Sequence, residues 1–77
     1  MNKILINIYV PYTDEIYDIF IPINKKVGTI KNTILNSIKN LTNKELQLFS
    51  IEENKIIEEN IYVKNSGIKN GSKLVLL

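Results

Sequence analysis

Hydrophobic and polar residues alternate near the start of the chain. Ile4, Ile6, Ile8 and Val10 share one side of this alternation, which predicts a first strand with one face in a core. Turn-forming residues 11–14 separate it from a second alternation, so the two runs predict a hairpin. One face of the second run holds Tyr17, Ile19, Ile21 and Ile23, and the other holds Ile16, Asp18, Phe20 and Pro22. Because Pro22 cannot donate to a ladder, we expect it near the end of the strand or on an edge, and we expect this strand to border the sheet.

The hydrophobic period changes after residue 26. Apolar residues then recur at spacings of three and four, which predicts one amphipathic helix. The stripe consists of Val27, Ile30, Ile34, Ile38 and Leu41, with Leu35 at its margin. Asn24 or Thr29 could serve as the N-cap, and the place of Val27 in the stripe favours the earlier start. Gly28 lowers helix propensity by about 1 kcal/mol relative to Ala.

Short apolar runs and turn residues alternate in the second half of the chain. In order, we predict a strand over 46–51, a turn at Glu53-Asn54, a short strand at Ile56-Ile57, apolar anchors at Val63 and Ile68, a turn at Asn70-Gly71 and a last strand over 73–77. The order ββαβ(β)β predicts an α+β fold, with a mixed sheet of four to five strands and one helix on a single face. The last strand is expected in the middle of that sheet, and residues 1–77 are expected to form a single domain.

The composition excludes several classes of function. Cys and His are absent, so the chain has no disulfide, no thiolate ligand and no imidazole base. The ten basic residues are all Lys, mostly scattered, so no Arg is available to read guanine and nucleic acid is not an expected partner. The apolar runs are far shorter than the roughly 20 residues of a membrane helix, so we expect no direct membrane insertion.

The N-terminal residues 1–8 begin like a signal peptide, but Asn7 interrupts the apolar run and no small-residue cleavage site follows. We therefore expect a mature, cytoplasmic protein. Eleven Asn beside fifteen Ile and ten Lys are typical of a low-GC coding sequence, which favours a bacterial source.

Two acidic pairs flank the predicted short hairpin, Glu52-Glu53 and Glu58-Glu59. A catalytic or metal-binding pair needs burial and a defined spacing, and a turn in water provides neither. We interpret both pairs as solvated loop. Lys25-Lys26 falls short of the four to eight charges of a lipid-binding cluster. The sequence thus predicts no catalytic, cofactor-binding or metal-binding residue.

A candidate protein-binding site lies on the sheet face opposite the helix. Strand alternation sends seven apolar side chains there: Leu5, Tyr9, Phe20, Phe49, Ile51, Val75 and Leu77. Contiguous apolar surface often marks a partner site. Three alternatives stay open: these side chains cover one another, they form the seam of a weak dimer, or part of the predicted register is wrong.

Four segments carry a resemblance to a known family. They are Tyr17-Asp18-Ile19-Phe20-Ile21, the helix stripe from Val27, Asn54-Lys55-Ile56-Ile57, and Gly67-Ile68-Lys69-Asn70-Gly71-Ser72-Lys73-Leu74. Through them essentially the whole chain resembles the ubiquitin-like β-grasp family, and most of all the small YukD/EsaB proteins encoded with bacterial type VII secretion systems. The resemblance implies an accessory or regulatory cytoplasmic component, which contacts proteins of the secretion machinery and is neither an enzyme nor a cofactor carrier.

The resemblance to ubiquitin also raises two alternatives. Ubiquitin and the related sulfur carriers end in a flexible Gly-Gly that enters an adenylating enzyme, whereas Leu76-Leu77 stands at this position here. Conjugation and sulfur transfer are therefore disfavoured. A covalently attached or thiolated species in the intact mass of the native protein would reveal such a carrier. A small scaffold subunit of a multicomponent enzyme is the other alternative.

Overall fold

Five strands and one α-helix are present in the computed structural model of the protein, which describes residues 2–38, 41 and 45–77. The strands are β1 (Lys3–Val10), β2 (Glu15–Pro22), β3 (Leu48–Ser50), β4 (Lys55–Ile56) and β5 (Lys73–Leu76), and the helix is α1 (Val27–Ser37). A 3-10 helix, Val63–Asn65, lies between β4 and β5. The predicted order of elements is confirmed, except that the sequence did not predict the 3-10 helix.

The five strands form one mixed sheet in the order β2-β1-β5-β3-β4. β1 and β2 form an antiparallel hairpin, β5 runs parallel to β1, and β3 pairs antiparallel with both β5 and β4. The predicted return of the last strand to the centre is therefore confirmed, as is the position of β2 at the border. Pro22 is the last residue of β2, where its missing N–H costs no ladder bond.

The inner face of the sheet and the helix stripe share one core. Ile6, Ile8 and Val10 of β1 are at most 1% exposed, because alternate positions of this central strand all point toward α1. Leu74 and Leu76 of β5 lie beside them and are equally buried. Each side chain of this size stabilises the fold by about 1.5–3 kcal/mol when it is removed from water. The core thus fixes which sheet face is left for other contacts.

The start of α1 corrects the predicted N-cap. Lys26 is the cap residue and makes no side-chain hydrogen bond, so neither Asn24 nor Thr29 performs this role. The first N–H groups are satisfied instead by a distant loop, since the Val27 N–H donates to the carbonyl of Ile61 at 2.9 Å and the Gly28 N–H to that of Glu59 at 3.0 Å. A Cβ on residue 28 would lie 3.3 Å from both the Cβ and the carbonyl oxygen of Glu59, which explains a glycine at a position of poor helix propensity.

The end of α1 also differs from the prediction. The helix stops at Ser37, and Ile38 is extended with φ −99° and ψ 127°, although the predicted stripe ran on to Leu41. Both Ile38 and Leu41 are nevertheless buried, and the Leu41 N–H donates to the Ile38 carbonyl at 3.3 Å. The apolar spacing therefore predicted the burial of Ile38 and Leu41 correctly and the length of the helix wrongly. Residues 39–40 lie outside the described part.

β3 and β5 are shorter than predicted, and β4 is shifted by one residue. β3 covers Leu48–Ser50 rather than 46–51, β4 covers Lys55–Ile56 rather than 56–57, and β5 stops at Leu76. Pairing continues slightly beyond, because Gln47 and Leu77 exchange two backbone hydrogen bonds of 2.6 and 2.9 Å. No helix among the described residues has the length and apolar character of a membrane span.

Candidate protein-binding face

The outer face of the sheet carries one apolar side chain from every strand in a single line. The register places Tyr9 of β1 opposite both Ile16 of β2 and Val75 of β5, while Phe49 of β3 lies opposite both Val75 and Ile56 of β4. Directly opposed side chains on one face lie about 4.5–5.5 Å apart at Cβ, so the five are successive neighbours. We call Ile16, Tyr9, Val75, Phe49 and Ile56 the apolar row.

Exposure differs along the apolar row. Its ends are open to solvent, with Ile16 65% and Ile56 53% exposed, whereas Tyr9, Val75 and Phe49 in the middle are half-buried. This gradient arises because central side chains are flanked by neighbours on both sides and end ones on a single side. The row therefore forms a shallow apolar strip whose central side chains are held between neighbours and whose ends are exposed.

A polar line separates the apolar row from a second apolar pair. Asn7 lies opposite Asp18 and Lys73, and its Nδ2 donates to Oδ1 of Asp18 at 2.9 Å. Leu5 and Phe20 are opposed to each other beyond this line, with Phe20 67% exposed. The outer face is thus divided into two apolar areas.

The seven residues predicted for this face fall into three groups. Tyr9, Phe49 and Val75 lie in the apolar row, and Leu5 and Phe20 form the separate pair. Ile51 and Leu77 flank the row and are 51% and 55% exposed. Ile16 and Ile56 were missed as site residues. The alternation of β2 already placed Ile16 on this face, whereas Ile56 could be added only once the pairing of β3 with β4 was known.

Tyr9 is the one member of the apolar row with a hydroxyl group, and this hydroxyl is hydrogen-bonded to a carboxylate. The Tyr9 hydroxyl donates to Oδ1 of Asp14 at 2.9 Å, and Asp14 reaches it from a turn position with φ 56°. The hydrogen bond to Asp14 raises the pKa of Tyr9 above 10.0, and desolvation and the negative charge of Asp14 act in the same direction. Since the folded-state pKa lies above the unfolded one, this stabilising contribution is present below about pH 10 and is lost as the pH rises through the raised pKa.

Replacing Asp14 with Asn is expected to lower the pKa of Tyr9, because the neutral amide no longer disfavours the phenolate and Asn also tolerates positive φ. An NMR titration of the tyrosine ring carbons measures this. Glu15→Gln is the matched control: the Tyr17 hydroxyl donates to Glu15 at 2.6 Å, which raises the pKa of Tyr17, so this variant should lower that pKa and leave Tyr9 unchanged. An unaltered Tyr9 pKa in Asp14→Asn would contradict the assigned hydrogen bond.

Three residues of the two acidic pairs, Glu52, Glu53 and Glu59, make side-chain contacts. Glu52 accepts a hydrogen bond from the Lys73 N–H at 3.0 Å, Glu53 lies 3.5 Å from the Lys55 ammonium, and Glu59 forms an ion pair with Lys31 of α1. Across residues 2–38, 41 and 45–77, no three carboxylates group as metal ligands would. These acidic residues therefore tie loops to the sheet and helix.

A polar hollow of about 600 Å³ lies between α1 and residues 45–47. Lys31 and Glu59 form part of its wall, and Leu35 and Leu46 line the rest together with polar groups. Lys31 and Glu59 pair with each other in this wall, and Glu45 is the one further charged residue among those that line the hollow.

No protein-family model and no curated protein matches the chain. Several solved structures do. The chain is similar to the ubiquitin-like domain of the Arabidopsis thaliana protein At2g32350, with a TM-score of 0.78 and 17% identity over 100% of this chain and 78% of that one.

It is similar in the same way to the N-terminal ubiquitin-like domain of the 4931431F19Rik protein, with a TM-score of 0.79 and 20% identity over 99% of this chain and 74% of that one. A de novo design based on ubiquitin gives a TM-score of 0.78 at 10% identity, over 99% of this chain and 88% of that one. The chain therefore has the ubiquitin-like β-grasp fold, as the sequence predicted.

Proposed function

We propose that this chain is a ubiquitin-like interaction module that works by binding a protein partner through its apolar row and not by catalysis. The observation that carries the proposal is the continuous line of five apolar side chains across all five strands, with exposed ends. Keeping such a strip in water is unfavourable unless a partner covers it, and aromatic residues like Tyr9 and Phe49 are typical anchors of protein interfaces.

The polar rim of the apolar row fits this interpretation. Asn7, Asp18 and Lys73 border it on one side with hydrogen-bonding groups, which is the usual arrangement around the apolar centre of an interface. Such a rim contributes register and specificity, while the buried centre contributes most of the affinity.

We further propose that the partner belongs to a bacterial type VII secretion system and that the protein is a cytoplasmic accessory or regulatory component of it. The support is the resemblance of segments 17–21, 54–57 and 67–74 to the YukD/EsaB proteins. Deleting the gene should then lower the export of the small helical substrates of the system. Wild-type protein should restore export and Val75→Asp should not, whereas unchanged export after deletion would contradict this role.

Binding through the apolar row is tested with the two phenylalanines of the chain. An affinity pull-down from native lysate should lose its partner with Phe49→Ala and Val75→Asp, because both changes disrupt the centre of the row. We expect affinity to fall about tenfold or more, as for a truncated interface anchor. Phe20→Ala is the matched control, since Phe20 is exposed on the same face outside the row and should retain the partner.

Each variant is first checked for its fold by an amide NMR spectrum. If folded Phe49→Ala and Val75→Asp recover the same partners as the wild type, the apolar row is not the binding site. If only Phe20→Ala loses the partner, the site lies around Phe20, at its pair with Leu5 or at the outer edge of β2, and not at the apolar row.

A further inference from the structure

The outer edge of β2 is open to pairing. Among the strands that the structure describes, β2 lies at one end of the sheet and pairs with β1 alone. Native proteins usually blunt such edges with short strands, lysines, bulges or a covering segment. At the opposite edge β4 is two residues long and contains Lys55. β2 has eight residues in an unbroken register with β1 and contains no lysine. Proline also protects sheet edges, but Pro22 is the last residue of β2 and leaves the N–H groups of Ile16, Asp18 and Phe20 in place.

The direction of the backbone groups on β2 follows from one hydrogen bond. The Ile23 N–H donates to the Asn2 carbonyl at 2.8 Å, so this pair is a hydrogen-bonded one. Such pairs alternate along an antiparallel ladder, and the register therefore turns the N–H and C=O groups of Ile16, Asp18 and Phe20 away from β1. Three donors and three acceptors thus point outward from this edge in a straight row.

The side chains along this edge are accessible as well. Ile16 and Phe20 are 65% and 67% exposed, and Asp18 between them is also exposed. A strand that paired here would gain backbone hydrogen bonds together with apolar contacts on both sides of a carboxylate. Adding a strand to an exposed edge is a common way of recognising an extended peptide.

Charge selects the kind of strand that fits. The chain carries a net charge of +2, yet between Lys3 and Lys25 it has no basic residue, and the acidic residues there are Asp14, Glu15 and Asp18. A second copy pairing antiparallel about Asp18 would set two carboxylates directly opposite each other, which is destabilising. A basic residue opposite Asp18 is favourable instead, and apolar residues suit the positions opposite Ile16 and Phe20.

We propose that the outer edge of β2 is a strand-addition site for an extended segment of a partner protein, with a basic residue opposite Asp18 and apolar residues opposite Ile16 and Phe20. The proposal shares Ile16 with the apolar row, but it rests on backbone groups at the sheet edge that the row does not use. It makes a separate prediction, namely that binding protects particular backbone amides.

The probe is a synthetic nine-residue peptide with the sequence Lys-Ser-Val-Val-Lys-Val-Val-Ser-Lys. Its N-terminus is acetylated and its C-terminus is amidated. Amide hydrogen exchange of the intact protein is followed by NMR. When about nine-tenths of the protein is bound, exchange at Ile16, Asp18 and Phe20 should slow about tenfold, because only the free fraction exchanges. Tyr17 and Ile19, which already bond to β1, should change little.

Two control peptides test separately whether binding needs the backbone N–H groups of the peptide and its positive charge. N-methyl groups on the residues opposite Ile16, Asp18 and Phe20 should abolish protection, since they remove the donors that strand pairing needs. Replacing every Lys of the peptide with Glu should weaken its binding about tenfold, because like charges then oppose each other at Asp18.

A charge reversal on the protein completes the test. Asp18→Lys should prefer the Glu peptide over the Lys peptide, while Glu58→Lys, an exposed site outside β2 with the same change in net charge, should keep the wild-type preference. If an excess of the Lys peptide does not slow exchange at the amides of Ile16, Asp18 and Phe20, the proposal is wrong. Equal protection by the N-methylated peptide would also overturn it, as would a dimer in sedimentation whose formation protects these amides without peptide.

Discussion

Replacing Ile8 with Ala is expected to lower the free energy of unfolding by about 2–5 kcal/mol, the usual cost of truncating a buried isoleucine and leaving a cavity. Ile8 is 0% exposed and lies on a central strand, opposite Tyr17 of β2 and Leu74 of β5. Neighbouring strands hold it on both sides, so the backbone cannot collapse into the space that the missing atoms leave.

Such a loss is a large part of the total stability. A chain of this length is stable by about 4–11 kcal/mol, and Ile8→Ala should lower the midpoint of thermal unfolding by about 12–30 °C. Urea denaturation followed by circular dichroism gives the free energy directly. Ile16→Ala is the matched control, since it removes the same atoms from the same hairpin at a position that is 65% exposed, and we expect a change within about 0.5 kcal/mol. Equal losses in the two variants would contradict the assignment of inner and outer faces.

Replacing Gly67 with Ala is expected to cost about 1–3 kcal/mol because the backbone there has φ +89°, a conformation that side chains rarely adopt. The new Cβ would also contact the Glu53 carboxylate. That carboxylate ends a flexible side chain that is 41% exposed and can swing away, at the loss of its weak contact with Lys55. Backbone strain therefore outweighs the clash.

Gly71→Ala separates the cost of backbone strain from the cost of the clash with Glu53. Gly71 has φ +88°, and a Cβ there would meet nothing within 4 Å, so its cost reports backbone strain alone. We expect urea denaturation to give similar losses for Gly67→Ala and Gly71→Ala, and the Glu53→Ala background to recover less than about 1 kcal/mol of the Gly67→Ala loss. A full recovery in that background would show that the clash is the larger effect.

Alternation and turn chemistry were sufficient to predict the β1–β2 hairpin. Pro22 predicted a position near the end of the strand or on a sheet edge, where a missing N–H is tolerated, and the structure places Pro22 at the end of β2 and β2 at the border. The helix stripe was less informative about length, because a three- and four-residue spacing reports which side chains are buried. Ile38 and Leu41 satisfy that spacing from outside the helix.

The candidate site was predictable only in part. Period-two alternation put Tyr9, Phe49 and Val75 on one face. Their alignment depends on the parallel pairing of β1 with β5 and the antiparallel pairing of β5 with β3, between segments that are far apart in the chain. The role of Ile56 depends on a further register, and the outward backbone groups of β2 could be assigned only from a hydrogen bond made by Ile23.

The sequence by itself determined which residues of this protein face inward, where the hairpin turns and that a single helix covers the sheet. These are local properties, because side-chain direction in a strand alternates with a fixed period and a turn needs only its own residues. The tertiary structure alone decided which outward residues become neighbours. Register between distant strands is set by how the whole chain closes its core, and a slip of one residue would turn a strand's entire apolar set to the other face.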